Sequence, residues 1–335
     1  MPAVQPAFWG ALLLAGCAGL TALLILVLRP ILVRHLLAQP NARSSHSVPT
    51  PQGAGLAVMA AVFAGCAIGL FFAPDKPSLL GVLIAAAGLT LLGAADDAHG
   101  LPVSERLTGQ ALAAIILVGT LPEDLRLFPG LMPAGVEDVL LVLGIMWFVN
   151  AVNFLDGLDW MTVAQVVPMT LGVAILHVLG AVPATVSLLA LTLLGATIGF
   201  AVFNKHPASI FLGDAGSLPI GLLLACMLIF VAETNLASAL LLALSTLADS
   251  TLTLLRRLVA GERVFSAHRT HFYQRAVAAG LRVPQVTARV FGLCLLLATL
   301  AVAAVLIDST AVDLALLAIG GAATAVTLHA LGKGR

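Results

Sequence analysis

Apolar residues along this chain come in long blocks, not in the two-residue alternation of strands. Eleven blocks approach the roughly 20 residues that a helix needs to cross a bilayer. They cover about residues 7–28, 55–73, 79–95, 107–122, 136–152, 161–180, 184–203, 216–232, 236–255, 286–307 and 313–331. Short polar segments, many holding Pro or Gly, separate them. The pattern predicts an all-α polytopic membrane protein with about 10–11 transmembrane helices, because a spanning chain must satisfy its backbone within each segment. The whole of residues 1–335 reads as one integral membrane domain. The longest polar stretch, from about Arg256 to Gln285, is too short to be a separate domain.

Composition sharpens this reading. Of 335 residues, 60% are hydrophobic and 10% charged, against about 25% charged in soluble domains. A soluble protein with a single anchor is excluded. Cys17, Cys66, Cys226 and Cys294 all lie inside apolar blocks without metal-ligand spacing, and read as small packing side chains. The first block has no basic residue before it and Arg29, Arg34 and Arg43 after it, which reads as a retained span that starts outside. Threading the other blocks from there puts fourteen of the sixteen Lys and Arg on one side, with only Lys76 and Arg126 opposite. The positive-inside rule makes the crowded side cytoplasmic.

The sixteen acids divide evenly. The outer eight (Asp75, Glu123, Asp124, Glu137, Asp138, Glu233, Asp308 and Asp313) are scattered near turns and read as solvated. The inner eight include every clustered motif. Ionisable groups at the mouths of spans are costly and are functional candidates. Asp96 and Asp97 are adjacent at a helix C-terminus, where the helix dipole disfavours them. A divalent cation with oxygen ligands would resolve their repulsion, Mg²⁺ first and Mn²⁺ as its substitute. Asn150, Asn153 and Asp156 recur every three residues before Gly157 breaks the pattern, and with Asp159 they suit hydrogen bonding to a nucleobase, a ribose or a metal. Asp214 stands between Gly213 and Gly216 in Phe211–Ser217, where backbone can approach a ligand closely, and Ser217 can cap the span that follows. The segment from Asn41 to Gly55 is rich in hydroxyls, Pro and Gly around Arg43 and His46, a composition fit to cradle an anion. His268, Arg269 and His271 offer cations and donors to phosphate. Asp249, just inside its span, has no evident task beyond pairing with a nearby basic residue.

Five such segments in this order resemble the polyprenyl-phosphate N-acetylhexosamine-1-phosphate transferases, relatives of phospho-N-acetylmuramoyl-pentapeptide transferase. The resemblance runs from about Asn41 to Arg275. It rests on the aspartate pair Asp96-Asp97, on Asn-x-x-Asn-x-x-Asp-Gly-x-Asp from Asn150 to Asp159, on Phe-x-Gly-Asp-x-Gly-Ser from Phe211 to Ser217, and on the histidine loop from Ala267 to Arg275. That loop looks most like the O-antigen-initiating members. One departure is Trp160, where the family usually has Gly.

The resemblance implies attack of polyprenyl phosphate on a UDP-N-acetylhexosamine at the inner (plasma) membrane, with release of UMP. Asp96, Asp97, Asp214 and His268 would be the catalytic residues. Asp214 and Asp97 would hold Mg²⁺. Asn150, Asn153, Asp156, Asp159, Phe211, Arg269, His271, Arg43 and His46 would bind substrate. The partners are the nucleotide sugar, the lipid phosphate and the bilayer, with no nucleic acid; a homodimer is open. Two rivals are a secondary transporter, disfavoured by the absence of a repeat, and an inactive relative, raised by Trp160.

Overall fold

The computed structural model describes residues 4–38, 48–70, 76–262 and 268–334. Twelve helices and one two-stranded antiparallel sheet follow in the order α1 (Val4–His35), β1 (Leu37–Ala38), β2 (Thr50–Pro51), α2 (Gly55–Leu70), α3 (Lys76–His99), α4 (Val103–Gly119), α5 (Ala134–Leu155), α6 (Met161–Val178), α7 (Ala184–Asn204), α8 (Asp214–Thr234), α9 (Leu236–Val259), α10 (Phe272–Ala278), α11 (Val283–Ile307) and α12 (Thr310–Gly332). Each of the eleven apolar blocks corresponds to one helix, the blocks at 107–122 and 161–180 running two or three residues past the ends of α4 and α6, and residues 71–73 of the second block lying outside the described residues. Among the described residues nine helices are long and apolar enough to cross a membrane; Gly55–Leu70 is apolar but shorter. The chain is an all-α multi-pass membrane protein. The one helix that the blocks do not predict is α10, a two-turn element in the polar stretch after α9.

The bundle is organised around α8, whose most apolar stretch is 89% buried. Helices α3, α5, α9 and α2 pack against it, α1 lies against α7 and α2, and α12 rests on α11 and α9. Apolar residues such as Leu91, Val178 and Val202 face outward at 71%, 84% and 71% exposure. An outward apolar surface is what lipid requires. A smaller apolar cluster, including Leu155, Leu158, Met161, Tyr273, Val286 and Leu331, ties α10 to the ends of α5, α11 and α12.

Three sequence expectations differ from the structure. Glu137 is not solvated. It is 2% exposed in the first turn of α5, where its carboxylate accepts from Arg126 Nε at 2.8 Å and from Leu127 N at 2.6 Å. Asp214 is not in the segment before its span: it opens α8, whereas the Asp96-Asp97 pair lies, as expected, at the C-terminal end of α3. Ser217 is therefore inside α8, and its Oγ accepts from Asn153 Nδ2 at 2.8 Å instead of capping the helix.

Candidate active site

Helices α3 and α5 end, and α4 and α8 begin, at one end of the bundle, so their terminal side chains meet there. Asp97 Oδ1 accepts from Asp214 N at 2.9 Å and from Gln52 Nε2 at 2.5 Å, and its Oδ2 accepts from Ala215 N at 3.1 Å. The carboxylate at the C-terminal end of one helix thus caps the N-terminus of another, whose partial positive charge and unsatisfied N–H groups compensate the unfavourable end of α3. Asp96 Oδ1 accepts from Leu101 N at 2.6 Å, and its Oδ2 pairs with Arg106 at 3.2 Å. Arg106 also lies 4.0 Å from Asp214 Oδ2. Asp214 Oδ1 accepts from Asn153 Nδ2 at 2.7 Å, and Asp96 and Asp97 are its acidic neighbours. Asp96 and Asp214 therefore share one guanidinium, with Asp97 and Asp156 as further acids nearby, an excess of negative charge that calls for a further cation.

The third motif continues this lattice. Asn150 pairs amide to amide with Gln110 of α4. Asp156 caps the end of α5 and accepts from Thr162. Burial, helped by Asp97 and opposed by the Thr162 hydrogen bond, pushes the Asp156 carboxyl up to about 7. With the folded value above the usual ~3.9, this group contributes stability that is fully present below about pH 4 and lost as pH rises through about 7. Asp156→Asn is thus expected to raise the thermal midpoint by a few degrees at pH 8 in metal-free buffer, and to change it little near pH 3–4. A lower midpoint at pH 8 would refute this sign.

Asp159 points a different way. Its Oδ2 accepts from His206 Nδ1 at 2.7 Å and from Ala208 N at 3.1 Å, so it clamps the loop between α7 and α8. Trp160 stands in the left-handed region at φ +65°, which explains why glycine suits that position. Its backbone N donates to Asn204 Oδ1 and its indole Nε1 to Ala201 O, both at 2.7 Å, so the ring lies along α7. Trp160 is not among the residues that line the cavity between α4, α5 and α9. Phe211 acts first through its backbone: its N donates to Pro51 O at 2.8 Å, and its O accepts from Gly53 N and Ala54 N. This pairing brings Gln52 to Asp97.

The histidine loop is anchored by the acid left unexplained above. Asp249 accepts from His271 Nδ1 and Phe272 N, each at 3.1 Å. His268 and His271 stack with ring centroids 5.0 Å apart. Burial, then the nearby His271, Arg257 and Arg256 charges, push His268 down to about 4, so it is neutral at pH 7. Arg269 is half-buried in this loop. Tyr273 joins the loop to the third motif through Oη–H donated to Phe154 O at 2.9 Å, and a Cβ on Gly157 would overlap that hydroxyl. Arg43 and His46 lie outside the described residues.

Beside the carboxylates lies a cavity of about 650 Å³ between α4, α5 and α9. Arg106, Asn150, Asn153, His268 and His271 line its polar end. Its flank is apolar, with Leu143, Leu255 and Leu258 more than half or about half exposed to the surroundings of the bundle. Arg106, Gln52, Gln110 and His206 are residues that motif reading missed. Arg106 carried one signal, a lone base at the start of α4 shortly after the aspartate pair.

Among the described residues no three His, Cys, Asp or Glu side chains close on one point as a metal cage. Mg²⁺ does not need one, because it is commonly held by one or two carboxylates with water and substrate phosphates. Asp214, with Oδ1 held by Asn153 and Oδ2 no nearer than 4.0 Å to Arg106, fits that manner of binding. Asp97 fits it less well, since three N–H groups already occupy its oxygens.

The glycosyl transferase family 4 profile matches residues 79–232, from α3 to α8, which carry all four clustered acids. Similar proteins include the decaprenyl-phosphate N-acetylglucosaminephosphotransferase of Mycobacterium leprae (strain TN), 31% identical over 310 residues covering 78% of this chain and 76% of the relative. The probable undecaprenyl-phosphate N-acetylglucosaminyl 1-phosphate transferase of Bacillus subtilis (strain 168) is 27% identical, covering 77% and 76%. The phospho-N-acetylmuramoyl-pentapeptide-transferase of Shouchella clausii (strain KSM-K16) is 30% identical, covering 68% and 75%. On this similarity, and on the matched acids gathered at one helix junction, the chain belongs to glycosyl transferase family 4, the family of polyprenyl-phosphate N-acetylhexosamine-1-phosphate transferases.

Proposed function

We propose that this chain transfers an N-acetylhexosamine-1-phosphate from a UDP-sugar to polyprenyl phosphate, releasing UMP, and so starts a cell-envelope polysaccharide at the cytoplasmic face of the plasma membrane. The observation that carries this reading is Arg106, which lines the polar end of a largely apolar cavity and pairs behind it with Asp96 and Asp214 of the acidic cluster. One reactant is a lipid and both are polyanions. A site that joins an apolar flank to a place for cations suits that pair. The names of the mycobacterial and Bacillus relatives, which specify N-acetylglucosamine and a polyprenyl phosphate, support the same class of reaction. The distribution of Lys and Arg supports an outer N-terminus and cytoplasmic site.

In this reaction an oxygen of the lipid phosphate bonds to the β-phosphorus of the UDP-sugar, and the bond from that phosphorus to the bridging oxygen breaks, so UMP leaves with the electron pair. Mg²⁺, held by Asp214 with the Asp96-Asp97 pair behind it, would supply charge neutralisation for the diphosphate. Arg106 holds Asp96 and reaches toward Asp214, so it offsets the repulsion between the carboxylates and adds positive charge where the phosphates meet. Asp97 fixes the start of α8; with its oxygens occupied it is a poor nucleophile. Asn153 fixes the Asp214 rotamer through its hydrogen bond. Asn150 and Asp156 border the nucleotide end, while Asp159 and Phe211 hold the α7–α8 loop against it. His268, neutral at pH 7, accepts a hydrogen bond or a proton. Arg269, with Arg43 and His46, adds positive charge for the diphosphate.

The test is the full-length protein in nanodiscs with undecaprenyl phosphate, Mg²⁺ and a panel of UDP-sugars, read as UMP release. Release is expected with one or more UDP-N-acetylhexosamines. It should fall to background in EDTA and return with Mg²⁺ or Mn²⁺. Turnover that survives EDTA removes the metal, and solute uptake into vesicles without UMP release favours a transporter instead.

A further inference from the structure

Asp249 is a carboxylate with 3% exposure inside the bundle, an expensive arrangement unless its oxygens are paired. Four donors converge on it: His271 Nδ1 at 3.1 Å, Phe272 N at 3.1 Å, Thr253 Oγ1 at 3.3 Å and Tyr273 N at 3.4 Å. Arg256 donates to Thr270 O at 2.6 Å and lies over the Phe272 ring, and Arg257 pairs with Glu262 at 3.1 Å. A helix cap alone needs only a hydroxyl or an amide oxygen. An acid that also takes an imidazole N–H does more: it fixes the tautomer and the rotation of the ring. The His271 ring, 3% exposed, is packed by His268 at 5.0 Å, Phe154 at 5.8 Å and Tyr273 at 5.9 Å, centroid to centroid. With Nδ1 committed to Asp249, Nε2 is the nitrogen left to serve the cavity that His271 lines.

We propose that Asp249 is a positioning residue: it holds His271 by Nδ1 so that Nε2 meets the phosphate head of the lipid acceptor in the cavity between α4, α5 and α9. This rests on the reaction proposed above. It assigns Asp249 to the acceptor side and leaves the nucleotide side untouched.

A double-mutant cycle on the full-length protein in nanodiscs tests it, with wild type, Asp249→Asn, His271→Gln and the double variant assayed for UMP release. Asp249→Asn keeps an acceptor for the α10 backbone and is expected to lower kcat about 10–100-fold, with the UDP-sugar KM unchanged. The double variant should be no slower than His271→Gln alone, because Asp249 acts through the ring. Independent, multiplying losses overturn the proposal, as does full activity of Asp249→Asn or a loss seen only in the UDP-sugar KM. Should Asp249→Asn fail to insert, ¹⁵N-histidine resonances of the wild type at pH 8 decide: a His271 proton on Nδ1 supports the pairing, and one on Nε2 alone overturns it. A wild type inert toward every UDP-sugar overturns the reaction and this role together, whereas an active wild type with independent losses overturns this role only.

Discussion

Asp214→Asn is expected to lower the rate of UMP release at least about 10³-fold while the protein still inserts and elutes as wild type does. The substitution is isosteric. The amide oxygen can still accept from Asn153, and the α8 N-terminus is capped by Asp97, not by the Asp214 side chain. What is lost is one negative charge beside Arg106 and Asp96, at the place best suited to a divalent ion. In the variant the charge balance shifts toward Arg106, and the site loses the carboxylate best placed to hold a divalent ion, which would supply charge neutralisation for the diphosphate. Turnover within tenfold of wild type would remove Asp214 from the metal site and with it the charge-cancelling mechanism. The measurement is kcat at saturating Mg²⁺, with thermal midpoint as the control on folding.

Gly93→Ala should lower turnover on the order of 10²-fold, although residue 93 touches no substrate. The last turns of α3 lie so close to the start of α8 that a Cβ on Gly93 would overlap the backbone carbonyl of Asp214 and crowd Ala215 N. Backbone cannot yield as a side-chain tip does, so α8 must retreat. The move would take Asp214 with it and lengthen the bonds from Asp97, which lies one turn further along the same face of α3. Displacement of a reacting group by about 1 Å can cost 10²-fold in rate, and overpacking of this kind typically costs about 1–3 kcal/mol of stability. Gly88→Ala is the control, because it is on the same helix with nothing within 4 Å of the added methyl. It should be neutral or slightly stabilising, since alanine is the better helix former. Equal activity of the two variants would show that the α3–α8 contact does not set the site.

The helices were legible because a membrane admits few alternatives. A spanning segment must be apolar and must satisfy its own backbone, so the blocks alone locate eleven helices, and the boundaries miss mainly where polar residues continue a helix into the interface. Asp214 illustrates this: it lies before the block at 216–232, yet it is in the first turn of α8. The short α10 lacks an apolar block and depends on Asp249 for its cap, a partner 23 residues upstream of Phe272. Glu137 read as solvated because its partner, Arg126, is held against it by a turn that no local pattern marks.

By itself the sequence determined the class of protein, the number of apolar helices and which residue types were assembled in which order, since lipid burial and the chemistry of carboxylates, amides and imidazoles are properties of the residues. Only the tertiary structure decided how the residues share the work. It turned Asp97 into the cap of α8, Asp159 into the clamp of the α7–α8 loop and Asp249 into the partner of His271, and it set Arg106 among the acids. The physical reason is distance along the chain. Asp97 meets Asp214 across 117 residues and Tyr273 meets Phe154 across 119. Hydrogen bonds that close such gaps depend on how whole helices pack, and helix packing is written in surfaces that no single stretch of sequence contains.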